Sequence, residues 1–181
     1  MVSSSVLTLV PHPAVPAPAG VSVTVTVRRA DDGAWQLDYR IEDPHGLVLW
    51  PADAPRQATD GLWQHTCCEA FVVVPDSEAY VEFNASPAGP WACYRFAAYR
   101  VRADQGQPAW RPDIECAHDG AVTTVSVPIP AALLPPAARQ AALSCVIETH
   151  EGARSYWALA HPEPQPDFHH RDGFALMLGK E

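Results

Sequence analysis

The sequence predicts an all-β fold, a two-sheet antiparallel β-sandwich of the jelly-roll or immunoglobulin-like kind. Three observations predict it. Apolar residues recur with a period of two, strand-sized segments follow at roughly ten-residue spacing, and turn residues separate them throughout. Nineteen prolines and ten glycines in 181 residues leave little room for long helices. A chain of this length suits one domain and can bury a core without metal or disulfide staples.

Residues 10–20, "VPHPAVPAPAG", are rich in Pro and Ala and read as extended chain. Residues 1–20 are therefore expected to form an N-terminal arm, and residues 21–181 a single ligand-binding sandwich. In "VSVTVTV", Val21, Val23, Val25 and Val27 share one face, opposite Ser22, Thr24 and Thr26. "WQLDYRIE" alternates Trp35, Leu37, Tyr39 and Ile41 against Gln36, Asp38, Arg40 and Glu42, with Asp31-Asp32-Gly33 as the turn between the two strands. Further strands are expected near 46–50, 66–74, 79–85, 91–101, 111–117, 121–128, 143–150, 155–161 and 173–178. One helix is expected near 136–142, introduced by Pro135 and Pro136.

Composition narrows the partners. A net charge of -9 argues against nucleic acid and against an anionic membrane, because both reward clustered Lys and Arg. No apolar run approaches the length that spans a bilayer. Five cysteines are an odd number without framework spacing, and Cys67 and Cys68 stand side by side, a poor geometry for pairing with each other. The N-terminus lacks a charged n-region, and Pro11 and Pro13 break its apolar stretch. A reduced, cytoplasmic protein is the expectation. Oligomeric state is not legible.

The informative positions are polar residues on strands that otherwise read as buried. In "HTCCEAFVVV", His65, Cys67, Glu69, Phe71 and Val73 share a face. In "AYVEFNAS", Tyr80, Glu82, Asn84 and Ser86 do. In "WACYRFAAYR", Trp91, Cys93, Arg95, Ala97 and Tyr99 share one face and Tyr94 and Phe96 the other. Glu148 and His150 align with Val146, and Trp157 and His161 with Leu159. A carboxylate inside a sheet must be paired, hydrogen-bonded or protonated, since leaving it uncompensated costs several kcal/mol. Two accounts follow. Arg95 bridges glutamates as a structural pair, or carboxylates, an amide, an Arg and aromatics converge on a polar ligand.

Other chemistries are weaker. Adjacent strand residues project to opposite faces, so Cys67 and Cys68 cannot both reach one tetrahedral ion. His65 with Cys67, and the run His161, His169 and His170, lack the spacing of a zinc site. A cysteine nucleophile needs an exposed thiol, whereas "AFVVV" implies burial. Two of Glu69, Glu82 and Glu148 could serve as the carboxylate pair of a glycosidase. Pro162, Pro164 and Pro166 force an extended crossing that delivers Asp167, Phe168, His169 and His170 to a fixed place.

"GLWQHTCCEAFVVV", "YVEFNASPAGPWACYRFAAYR" and "SYWALAHPEPQPDFHHRDGF" together resemble the bacterial DOMON-like proteins, which are related to the family 9 carbohydrate-binding modules. The resemblance spans roughly residues 20–178 and implies a sandwich with a ligand pocket. Relatives bind sugars or, in the cytochrome-type branch, haem. It implies ligand contacts at Trp63, His65, Glu69, Glu82, Asn84, Trp91, Arg95, Trp157, His161, Asp167 and His169. Haem would need axial ligands, and the methionines are only Met1 and Met177, with no CxxCH motif. The expected function is binding of a small saccharide without catalysis, without metal and without cofactor. A haem-binding domain, a glycosidase and a purely structural domain are the alternatives.

Overall fold

The computed structural model describes residues 3–103 and 109–178. Its strands are β1 (Ser3–Pro11), β2 (Ser22–Arg29), β3 (Trp35–Glu42), β4 (Cys67–Val73), β5 (Tyr80–Ala85) and β6 (Trp91–Ala98). They continue with β7 (Val101–Arg102), β8 (Glu115–Asp119), β9 (Val122–Ile129), β10 (Gln140–Glu148), β11 (Arg154–Ala158) and β12 (Leu176–Met177). All pairings between them are antiparallel, in the order β7-β6-β5-β4-β10-β11-β1-β2-β3-β9-β8, with β12 beside β10. The fold is all-β, as the period-two pattern predicts.

β1 is the hinge of the sandwich. Its Ser3–Leu9 stretch pairs with β2, and Val10 and Pro11 then pair with Ala158 and Trp157 of β11. One strand thereby joins a sheet of β1, β2, β3, β9 and β8 to a second sheet of β7, β6, β5, β4, β10 and β11. This differs from the expected arm over residues 1–20. The flanking serines and prolines weaken the strand signal of "SSSVLTLVP", yet Leu9 is fully buried while Val6 and Val10 face outward. The expected helix near 136–142 is also absent. Residues 131–133 form a single 3-10 turn, and from Gln140 the chain is already strand, because β4 and β12 supply ladder partners that outweigh local propensity.

The two sheets bury different amounts of themselves. β2, β3 and β9 alternate buried and half-buried residues along their length, so the first sheet has one dry face. β4 and β5 are buried at every position. Their inner faces, including Cys68, Ala70, Val72, Val81 and Phe83, meet Val23, Val25, Leu37, Tyr39, Ile41 and Val125 of the first sheet in the main core. Their outer faces, including Cys67, Phe71 and Tyr80, form a second cluster with Leu62, Phe96 and Phe174. Adjacent Cys67 and Cys68 thus fall in separate clusters, and burial raises both thiols well above their ordinary pKa.

One hydrogen bond ties the sheets together across the core. The hydroxyl of buried Tyr39 donates to the main-chain oxygen of Glu69 at 2.6 Å. Tyr39→Phe is expected to lower unfolding stability by about 1–2 kcal/mol, since it deprives a buried carbonyl of its cross-sheet donor. Chemical denaturation of the variant checks this.

Candidate functional site

The outer face of the second sheet carries a row of polar side chains set by strand register. Ser144 of β10 lies opposite Glu69 of β4, Glu69 opposite Asn84 of β5, and Asn84 opposite Ala92 of β6. In the next row Ala142, Phe71, Glu82 and Tyr94 face one another in the same way. A period of two on each strand, brought into this register, puts Glu69, Asn84 and Glu82 on one face.

These groups are deeply buried, with Glu69 only 3% and Glu82 only 4% exposed. Asn84 Nδ2 donates to Glu82 Oε1 at 2.8 Å. By contrast Glu69 Oε1, Asn84 Oδ1 and Ser144 Oγ have no hydrogen-bond partner among the described residues. All three belong to the same row. Burial, and then the charge of Glu82, push the Glu69 carboxyl well above the usual carboxylate range. Burial also carries Glu82 up to about 7, against the opposing pull of Asn84, Arg102 and Arg100.

Above this floor lies a hollow of about 610 Å³, within the range of small-molecule sites. Glu69, Glu82 and Val146 form its base. Trp63 and Gln64, from the 3-10 turn ahead of β4, make one wall, and Arg154 and Tyr156 of β11 another. Phe96, Arg100 and Arg102 close the side of β6 and β7. Pro166, Phe168 and His169 come from the proline-rich crossing, which is stiff and lies over the sheet. Trp63 is 39% exposed and stands edge-on to Tyr94, with ring centroids 6.2 Å apart.

The crossing is fixed by its own contacts. Asp167 accepts from Tyr99 Oη at 2.5 Å, from Arg100 Nη2 at 2.8 Å and from the main-chain N–H of His169 at 2.9 Å. Burial works to raise the Asp167 pKa, but these donors bring it below its ordinary value. Arg100 N donates to Tyr80 Oη at 3.1 Å, and the Tyr80 hydroxyl bonds His169 Nδ1 at 2.8 Å. Burial, and then the Arg100 charge, lower His169 to about 4, so its imidazole is neutral at physiological pH. A neutral ring that accepts the Tyr80 proton at Nδ1 carries its own proton on Nε2, 3.9 Å from Glu82 Oε2.

Of the residues singled out from sequence, Trp63, Glu69, Glu82 and His169 line the hollow, and Asn84 sits in the buried row beneath it. Asp167 flanks it and braces Arg100. The others are elsewhere. Trp157 lies in the main core with its indole N–H donated to Ser155 Oγ at 2.9 Å. Trp91 belongs to the core face of β6, beside a separate hollow near Arg56 and Trp110. Arg95 shares that face of β6 and is exposed. His65 is exposed and pairs with Glu148 at 2.8 Å. His161 bonds the Val10 carbonyl at 2.8 Å and stands edge-on to His12. Among the described residues no group of three or more His, Cys, Asp or Glu is disposed to hold a metal ion. Met177 is exposed on β12 opposite Gln140, at the far end of β10 from Val146, and Met1 lies outside the described residues.

Sequence reasoning missed Phe96, Arg100, Arg102, Arg154 and Tyr156. Phe96 and Tyr156 each lie on the face opposite to that of the tryptophan singled out on the same strand, Trp91 and Trp157. A register count from the β5–β6 hairpin, which sets Glu82 opposite Tyr94, would have put the Tyr94/Phe96 face on the glutamate side.

No protein-family model matches the sequence, and no curated protein matches it. Solved structures do share its architecture. A candidate carbohydrate-binding protein from Bacteroides uniformis superposes with a TM-score of 0.58 at 15% identity, over 94% of this chain and 84% of its own. A family 9 carbohydrate-binding module from Caldicellulosiruptor kristjanssonii in complex with glucose gives 0.53 at 11% identity, over 83% and 73%. The same organism's family 9 module in complex with cellotriose gives 0.50 at 11% identity, over 83% and 71%. At these identities the likeness is one of fold, and the fold is that of the family 9 modules.

Proposed function

We propose that this β-sandwich, a DOMON-like relative of the family 9 modules, binds a small saccharide without catalysis in the hollow on the outer face of its second sheet. One observation carries the reading. Three buried oxygens in a single row, Glu69 Oε1, Asn84 Oδ1 and Ser144 Oγ, lack partners among the described residues, and Glu69 of that row lines the base of a hollow rimmed by aromatic rings. An unpartnered buried polar atom costs roughly 1–3 kcal/mol, and ligand hydroxyls would relieve it. A protonated Glu69 can donate as well as accept, which suits hydroxyls that do both. Trp63 and Tyr156 offer ring faces for the C–H surface of a sugar. The fold shared with modules that bind glucose and cellotriose supports the same reading.

Calorimetric titration with glucose, cellobiose and related mono- and disaccharides tests it. The expected Kd is about micromolar to millimolar, equivalent to roughly -4 to -8 kcal/mol. Glu82→Gln and Trp63→Ala should each weaken retention about tenfold. Release of reducing ends by the parent protein, abolished by Glu82→Gln with binding intact, would replace this reading with glycoside hydrolysis. Absence of heat with every sugar would leave a structural role.

A further inference from the structure

The hollow carries an electrostatic feature that binding of a neutral sugar does not use. This chain has a net charge of -9 and only 12 basic residues, yet three of those line one hollow: Arg100, Arg102 and Arg154. They come from three separate places, the turn between β6 and β7, β7 itself, and β11. Each is held in position. Arg100 is clamped by Asp167 and by Tyr99 Oη. Arg102 lies over the Tyr94 ring with its guanidinium carbon 3.9 Å from the centroid. Arg154 donates to the main-chain oxygen of Gln64 at 3.3 Å and lies opposite Glu148, whose carboxylate pairs with His65.

The acidic groups around them are arranged differently. Asp167 and Asp60 contact Arg100 and Arg102, at 2.8 and 3.9 Å, but neither aspartate lines the hollow. The acidic side chains that do line it are Glu69 and Glu82 in the base, where burial favours the uncharged carboxyl. His169, the remaining titratable lining group apart from Tyr156, is neutral at physiological pH. The base therefore carries less negative charge than two exposed carboxylates would, with Glu82 about half ionised near pH 7, and the charged groups of the rim that face the hollow are guanidiniums. Arg100 adds a backbone signature, since it holds φ at 56°, a left-handed conformation that a non-glycine residue adopts at a cost. Glycine would satisfy that turn more easily, but would place no guanidinium at the rim.

We infer that the ligand is an acidic saccharide, whose hydroxyls rest on the Glu69 and Glu82 floor while its carboxylate or phosphate is held by Arg102, with Arg100 beside it, or by Arg154 on the opposite side of the hollow. Guanidinium groups pair with planar carboxylates and with phosphates in two-pronged fashion, and both anions present the same chemistry to this rim. The inference rests on the hollow being a saccharide site and adds the charge of its ligand.

Four probes separate the possibilities: cellobiose, cellobiouronic acid (the same skeleton with a carboxylate), glucose 6-phosphate and inorganic phosphate, each titrated at low and at high salt. Cellobiouronic acid or glucose 6-phosphate should bind at least tenfold more tightly than cellobiose at low salt. That advantage should shrink as salt rises. Whichever of the two binds more tightly identifies the anionic group. Of Arg102→Gln and Arg154→Gln, checked for unchanged melting, one should reduce the acidic-to-neutral affinity ratio at least fivefold and so mark the side that holds the anion; no change in either variant would overturn the inference. Cellobiose binding as tightly as both acidic probes would overturn the inference while leaving saccharide binding in place. Inorganic phosphate binding as tightly as glucose 6-phosphate would overturn it too, by showing that the sugar ring contributes nothing. Failure of all four probes would remove both readings. The comparison of probes and salt in the unsubstituted protein decides the matter even if a variant folds poorly.

Discussion

Phe71→Ala is expected to cost about 3–5 kcal/mol of unfolding stability and to abolish ligand retention in the hollow. Phe71 is fully buried on the outer face of β4, in the row next to Glu69. Its ring lies 5.2 Å from that of His169, 5.9 Å from Phe174 and 6.3 Å from Tyr80, centroid to centroid. Two of those three partners, His169 and Phe174, belong to the proline-rich crossing and the residues that continue it. Phe71 therefore works as the peg onto which this segment packs, and the segment supplies the Phe168 and His169 wall. Removing the ring leaves a cavity that rigid strands on both sides cannot close, so the loss includes a cavity term as well as the lost transfer energy. In a domain whose whole stability is typically about 5–15 kcal/mol, that is a large fraction. Denaturant unfolding and saccharide calorimetry on Phe71→Ala and Phe71→Leu measure it. The leucine variant should recover part of both losses. A change below about 1 kcal/mol for the alanine variant would mean that the outer face of this sheet is not a packed core.

Glu82→Gln is expected to stabilise the protein increasingly as pH rises, by up to about 3 kcal/mol above neutrality. Burial moves the Glu82 carboxyl from its ordinary 4.5 to about 7. Between those two values the folded protein holds a proton that the unfolded chain has already released. Its contribution is therefore most favourable at low pH and is lost as pH climbs toward 7. Glutamine keeps the amide contact with Asn84 and never ionises, so the variant escapes that loss. His169 acts in the opposite direction. Burial and the neighbouring Arg100 charge depress it from 6.5 to about 4, so over that window the unfolded chain binds more protons and stability rises with pH. The two slopes oppose each other between about pH 4.5 and 6.5 in the parent protein, and Glu69, also raised by burial, adds a slope of the Glu82 sign. The difference between variant and parent cancels His169 and reports Glu82 together with its effect on Glu69. Denaturation midpoints taken from about pH 4 to about pH 8 should show that difference near zero at the acid end and growing through the window. A difference that stays constant across the range would show that Glu82 titrates as an exposed carboxylate does.

The strand pattern was legible because period-two alternation is a local property of the chain. Val21, Val23, Val25 and Val27 read as one buried face, and three of them are wholly inside the main core, with Val21 at its edge. The continuous apolar run after Glu69 also carried information. Only a strand covered on both sides can hold "AFVVV" without an exposed apolar face, and β4 is such a strand. A glutamate in such a run had to be special, and Glu69 is buried with an oxygen that no described residue satisfies.

Local pattern was enough, then, to show that the chain folds into β-strands, which side chains alternate on each, and that Glu69 and Glu82 are carboxyls in apolar company. Which faces meet came from long-range pairing and packing. Alternation says nothing about parity between strands, and a shift of one residue exchanges the two faces. The β4–β5–β6 register put Tyr94 and Phe96 beside Glu82 and sent Trp91 to the opposite face, and the β10–β11 pairing did the same with Tyr156 and Trp157. Long-range packing brought the arginines of β7 and β11 to one rim, although Arg102 and Arg154 are 52 positions apart in the chain. Pairing and packing across such separations depend on the whole set of contacts at once, and no local window of residues contains them.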